Sequence, residues 1–294
     1  MEGLITYLVI GLVKGSILAL VALGMVLIIK ATNVINFAHG DLVMVGAFVT
    51  YGIVTYSGLP IWISVLLSIV VSGLLGYITY HLILKKISHG PLISIIMVTL
   101  GISYFFQGGI TLVFGSKNYS FPKIFPDGMI SIAGLQISYL YIYSLIIAAI
   151  LMVIFVILFQ YSRLGLAMRA SADNPKAAES LGIRRNKMAA YSWIIATIVA
   201  TIGGILLASL NVMNVGLAHI GLVVFPVLII GGLQSLIGAV VGGLFIGVTE
   251  SVAAGYINPI VGSSTEELVA FAVLLIILMV RPYGLFGKRE VERL

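Results

Sequence analysis

Residues 4–29 read LITYLVIGLVKGSILALVALGMVLII, an apolar run with a single charge, Lys14. About 20 apolar residues in a helix cross the roughly 30 Å hydrocarbon core of a bilayer. This run is long enough, and it decides the fold class. The composition around it agrees. Hydrophobic residues make up 61 % of the 294-residue chain and charged residues 9 %, against about 25 % charged in a soluble domain. Mean hydropathy is +1.19. So few charges cannot cover the surface of a soluble fold of this size. The numbers exclude a soluble enzyme, a disordered regulator and a secreted disulfide scaffold. The apolar runs are continuous rather than alternating, which argues against a β-barrel. Ahead of its apolar run the N-terminus has Glu2 and no basic residue, so it reads as a first span rather than a cleaved signal.

The same length criterion places spans near 4–29, 41–57, 61–84, 92–115, 139–161, 188–210, 217–233, 236–256 and 267–280. Within 217–256, Gly231-Gly232-Leu233-Gln234-Ser235 carries no charge and leaves little room for a loop. It reads as a tight turn between two spans or as a broken or re-entrant pair. The expectation is an all-α polytopic membrane protein with eight to ten transmembrane helices, nine favoured. Residues 1–294 would form one transmembrane domain. Most of the 16 basic residues fall in three segments: loop 162–187, turn 85–90 and tail 281–294. Cytoplasmic loops carry such an excess, so these three are expected in the cytoplasm. Loops near 58–60, 116–138 and 257–266 would then lie outside, as would the N-terminus if the spans number nine.

No catalytic residue and no metal set is expected. The chain has no cysteine. Its histidines, His39, His81, His89 and His219, are far apart in sequence. The nearest approach to a phosphate-binding GxxxxGK[ST] loop is Gly284-Leu285-Phe286-Gly287-Lys288-Arg289, which lacks both the glycine spacing and the hydroxyl residue.

Loop 162–187 carries a helix start and stop. Asn174 reads as N-cap, Pro175 as first helical residue, Lys176 to Leu181 as a short helix and Gly182 as its terminator. Two readings stand for this small-residue stub. It could dock in a partner's groove through Ala178 and Leu181, or lie as an amphipathic turn on lipid headgroups.

Several stretches together resemble the permeases of branched-chain amino acid (Liv-type) uptake systems. Near the start they are Gly15-Ser16-Ile17, Ala22-Leu23-Gly24 and Val34-Ile35-Asn36-Phe37-Ala38-His39-Gly40-Asp41. In the middle they are Arg169-Ala170, Asn174-Pro175-Lys176-Ala177-Ala178 and Leu181-Gly182-Ile183. Later come Gly231-Gly232-Leu233, Gly238-Ala239 and Arg281-Pro282-Tyr283-Gly284-Leu285-Phe286-Gly287. The chain departs from the family pattern at Val223, Val224 and Gln234. The resemblance implies an ABC importer permease. Loop 162–187 would be its ATPase-coupling loop, with Arg169, Asn174, Pro175, Ala178, Leu181, Gly182 and Ile183 as site residues. It also implies a second homologous permease, two ATPase subunits on the cytoplasmic face and an extracytoplasmic substrate-binding protein. This chain would hold no cofactor; ATP and magnesium would be bound by the partner ATPases.

Other polar residues in apolar surroundings are pathway or gate candidates. Asn36, His39 and Asp41 line a pathway or form a hydrogen-bonded cap on the second span. Glu250 meets a substrate ammonium, balances Lys14 or is a structural group. Lys14 by itself reads as snorkelling. His219 sits in an Ala-His-Ile-Gly context that echoes Ala38-His39-Gly40, an echo read as chance. The pairs Gly11/Gly15, Gly238/Gly242 and Gly243/Gly247 have the spacing of close helix crossings.

The expected function is import of leucine, isoleucine and valine through the inner membrane of a prokaryote. The alternatives are a permease for urea or another small polar solute, and an autonomous secondary transporter or channel.

Overall fold

Within a bilayer every backbone N–H and C=O must be satisfied inside the segment, which leaves helices for continuous apolar runs. The computed structural model describes residues 2–32, 34–87, 90–132, 135–262, 265–282 and 284–287, and it is mainly helical. Tyr283, His89, Lys288, Arg289 and Arg293 lie outside the described residues. Helices α1 (Glu2–Thr32), α2 (His39–Ser57) and α3 (Ile61–Thr79) come first. A π turn (Tyr80–Leu84) and α4 (Lys85–Ile87) extend α3. After α5 (Leu92–Phe114), a hairpin of β1 (Met129–Ile132) and β2 (Leu135–Ser138) leads to α6 (Tyr139–Tyr161). The short α7 (Arg163–Asp173) and α8 (Pro175–Ser180) precede α9 (Arg185–Leu210). A 3-10 turn (Val215–His219) opens α10 (Ile220–Gly231), followed by α11 (Leu236–Tyr256), α12 (Asn258–Val261) and α13 (Glu266–Val280).

All nine expected spans fall on helices. Seven are long and apolar enough to cross a membrane. The other two are shorter: α10 has 12 residues and α13 has 15. The polytopic all-α reading holds, with a half-length helix in the 217–233 segment.

The helices group into two compact units. One comprises Met1–Val26, Asp127–Met152 and Leu222–Leu294. In it α1 lies on α11 at small residues. A Cβ on Gly11 would stand 2.6 Å from Val248 Cα, and one on Gly15 2.8 Å from Gly243 O. Gly243 in turn fits against Ala19, and Gly247 against Gly15. Beyond this crossing, Ser251 Oγ donates to Tyr7 O at 2.7 Å, and the Tyr7 and Tyr256 rings meet edge-on at 5.6 Å. Gly238 and Gly242 of α11 receive the backbone of α10 at Gly231 and Val227. The chain end closes on the same turn. Leu285 N donates to Ile230 O at 2.7 Å and Phe286 N to Gly231 O at 3.2 Å. Gly232 (φ +99°) and Gly284 (φ +74°) supply left-handed backbone there, which only glycine adopts cheaply.

The other unit comprises Leu27–Pro126 and Val153–Gly221. Its α3 is inverted relative to a soluble helix. Ser64, Ser68, Ser72, Gly73 and Gly76 are buried, while Trp62, Leu66, Val70, Leu74 and Tyr77 are exposed. Ser64 Oγ donates to Pro60 O at 3.2 Å and Ser68 Oγ to Val65 O at 2.8 Å, so these two hydroxyls are satisfied within their own segment. Gly76 then lets α3 reach the backbone of α9 at Trp193 O. Residues 115–126 fold over the ends of α2 and α5. Tyr119 exchanges two backbone bonds with Met213, at 2.8 and 2.9 Å, and packs with Phe48, Tyr51 and Phe114.

Candidate functional site

The loop between α6 and α9 is built by its caps. Ser162 Oγ accepts the Gly165 N–H at 3.0 Å and starts α7. Arg169 folds back over α6, donating to Phe159 O and, at 3.0 Å, to Gln160 O. Carbonyls in a last helical turn have no partner within the helix, so Arg169 caps α6 rather than standing free on the loop. The guanidinium lies 5.5 Å from the centre of the Phe159 ring, and Lys30 Nζ lies 5.1 Å from the same ring.

Asn174 links two helices. Its N–H closes α7 on Ala170 O at 3.1 Å, and its Oδ1 accepts the Ala177 N–H at 3.1 Å to open α8. Pro175 takes the first helical position. Gly182 turns the chain at φ +84°, and the Ile183 N–H returns to Ala178 O at 3.0 Å. The exposures amend the expected docking surface. Ala178 is 2 % exposed, because α8 packs on α7 and α9, whereas Leu181 is 81 % exposed. Leu181 is the residue that projects, and Ile183 is half-buried.

A second site lies where α2 begins. Asn36 Oδ1 accepts the Ala38 N–H at 3.1 Å, and Asn36 O accepts the His39 N–H at 3.2 Å. These bonds fold residues 36–39 into the turn that launches α2. Asn36, His39 and Asp41 are all buried, at 0 %, 1 % and 2 % exposure. Asp41, a candidate for a helix cap, lies in the first turn of α2, where its carboxylate accepts its own backbone N–H. The helix starts two residues earlier without a side-chain cap, and Asp41 reaches across to α5. Its Oδ1 accepts Gln107 Nε2 at 2.8 Å, and Gln107 also meets Ser103 Oγ at 3.3 Å. The start of α10 meets this turn. A Cβ on Gly40 would stand 2.5 Å from Gly221 N and 2.7 Å from Gly221 Cα. The echo between Ala38-His39-Gly40 and Ala218-His219-Ile220-Gly221 is therefore a physical contact.

Glu250 is fully buried on α11, and Lys14 Nζ of α1 reaches its Oε2 at 2.8 Å. Of the sequence alternatives for Glu250, the structure displays the balance with Lys14. Lys14 turns to this partner while part of its side chain stays exposed.

The chain also matches known proteins. The family model described as "Branched-chain amino acid transport system / permease component" matches residues 7–278. The chain belongs to this family. It is 31 % identical to the high-affinity branched-chain amino acid transport system permease protein BraD of Pseudomonas aeruginosa, over 97 % of this chain and 96 % of BraD. It is 28 % identical to the corresponding permease protein LivH of Escherichia coli, over 96 % of this chain and 95 % of LivH. Among solved structures it shares the fold of PsaBC from Streptococcus pneumoniae in complex with Fab, with a TM-score of 0.52 and 16 % identity. That similarity covers 96 % of this chain and 91 % of the other.

As a branched-chain amino acid transport permease, the chain uses residues that sequence reasoning passed over. Gln107 was not singled out, although Thr99, Ser103 and Gln107 recur every fourth residue along one face of α5. Ser64, Ser68 and Ser72 give the same signal in α3. The Gly231-Gly232 turn and the Gly284–Gly287 ending, quoted as separate stretches, form one backbone-paired unit.

Proposed function

We propose that this chain is the permease subunit of an ATP-driven importer that moves leucine, isoleucine and valine into a prokaryotic cell across its inner membrane. The observation that carries this reading is the family match over residues 7–278. The near-full-length similarity to BraD and LivH, both named for branched-chain amino acid transport, supports the substrate class. In this reading a second, homologous permease completes the pathway, and an extracytoplasmic binding protein delivers the amino acid. Two ATPase subunits bind ATP and magnesium. Segments 85–90, 162–187 and the C-terminus face the cytoplasm, as their basic charge argues. The ATPases seat against α8, where Leu181 stands out from a stub whose caps hold it in one conformation.

Two measurements test this. A pull-down of the tagged chain in mild detergent should recover two P-loop ATPases and a related permease. Uptake of labelled leucine by the recovered complex in proteoliposomes, with its binding protein, should be ATP-dependent. Isoleucine and valine should compete, and urea should not. Leucine uptake by the chain alone would reject the importer reading in favour of an autonomous transporter.

A further inference from the structure

We infer that the first turn of α2 is a binding subsite for the zwitterionic headgroup of an α-amino acid, with Asn36 and the helix start taking the carboxylate and Asp41 the ammonium. This rests on the import function proposed above and names where the substrate headgroup is recognised.

The first observation is depth. Gln107, which holds Asp41, is seven residues before the end of the 23-residue α5. At the helical rise it lies roughly 10 Å from one end of the span and 22 Å from the other. Asp41 therefore meets α5 away from either end of that helix. The start of α2 presents a positive dipole end beside Asn36. Discontinuous helices in transporters present such ends to anionic substrate groups.

The second observation is an unpartnered donor. Asn36 is fully buried, and its Oδ1 is occupied by the Ala38 N–H. Its Nδ2 has no hydrogen-bond partner among the described residues. The bond to Ala38 fixes the amide at the helix start, so the spare donor sits where the dipole favours a negative group. Burying an amide NH2 without a partner is costly, and native structures rarely tolerate it without a function.

The third observation is the opposite charge beside it. Asp41 is in the first turn of the same helix, and its carboxylate accepts from Gln107, Ser103 and its own backbone N–H. A carboxylate offers about four acceptor positions, so it retains capacity for an ammonium. Donor, dipole end and carboxylate together match a group that is negative at one end, positive at the other and neutral overall. Gly40 packs against Gly221 beside these groups.

The test is leucine uptake by the intact importer, carrying either Asn36→Asp or Asp41→Asn. Asn36→Asp keeps an acceptor for Ala38 N–H but replaces the donor with a negative oxygen. Asp41→Asn keeps an acceptor for Gln107 but loses the charge. A role confined to holding the turn survives Asp41→Asn, which buries no new charge, whereas Asn36→Asp adds one. Headgroup recognition predicts that each variant reaches the membrane at normal abundance and loses about tenfold or more in uptake, the size of a lost charged hydrogen bond. Uptake within twofold of wild type in Asn36→Asp overturns the subsite while leaving the importer reading intact. If Asn36→Asp fails to reach the membrane, Asp41→Asn decides by the same threshold. A wild-type complex that does not import leucine overturns both.

Discussion

Lys14 and Glu250, 236 positions apart in the chain, form an ion pair at 2.8 Å in which the carboxylate is fully buried and the ammonium is partly exposed. A lone charge in an apolar interior costs far more than a matched pair. Lys14→Met should therefore destabilise the purified permease by about 3 kcal/mol, the lower end for a broken buried pair because Lys14 is partly exposed. Adding Glu250→Gln should recover most of that loss. Thermal unfolding in detergent checks both, and equal losses in the single and double variants would contradict the pairing.

Leu181→Asp should cut ATP-driven uptake by about tenfold or more, because it puts a charge on the projecting residue of α8 while leaving the loop folded. Ala178→Asp should behave differently. Its side chain is buried against the neighbouring helices, so it should loosen the loop itself. Limited proteolysis separates the cases: the Leu181 variant should resist cleavage like wild type, and the Ala178 variant should be cut within 162–184.

Asn174→Ala removes the cap of α8, worth about 1 kcal/mol. Amide hydrogen exchange over residues 175–180 should accelerate about fivefold, with no change in α9. Unchanged exchange would mean that packing on α7 and α9 holds the stub without its cap.

Gly247→Leu should prevent close approach of α1 and α11, since even a Cβ overlaps Gly15. Gly247→Ala should cost about 1–3 kcal/mol as an overpacked contact. Gly101→Ala, where the added methyl meets nothing within 4 Å, is the matched control and should hold or slightly raise the melting temperature.

The sequence made the helices legible because a bilayer imposes one length and one polarity on every span. It made the α8 caps legible too, because Asn174-Pro175 and Gly182 act on their immediate neighbours. What it hid depends on tertiary distance. Gly40 and Gly221 are 181 positions apart, and nothing local to either indicates the other beyond a three-residue echo. Ala178 was taken as surface because small residues in a charged loop look exposed, whereas α7 and α9 cover it. The serine face of α3 escaped notice for a physical reason. Lipid on one side and packed helices on the other both accept apolar residues, so the usual inside–outside contrast of a helix is nearly lost.

One aromatic ring carries a mechanical consequence. Arg169, from α7, and Lys30, from the last turn of α1, both rest on Phe159, while Arg169 also grips the carbonyl end of α6. The ends of α1 and α6 and the front of the loop thus share a single fulcrum. The loop's first helix is thereby tied to the ends of two membrane spans through one side chain.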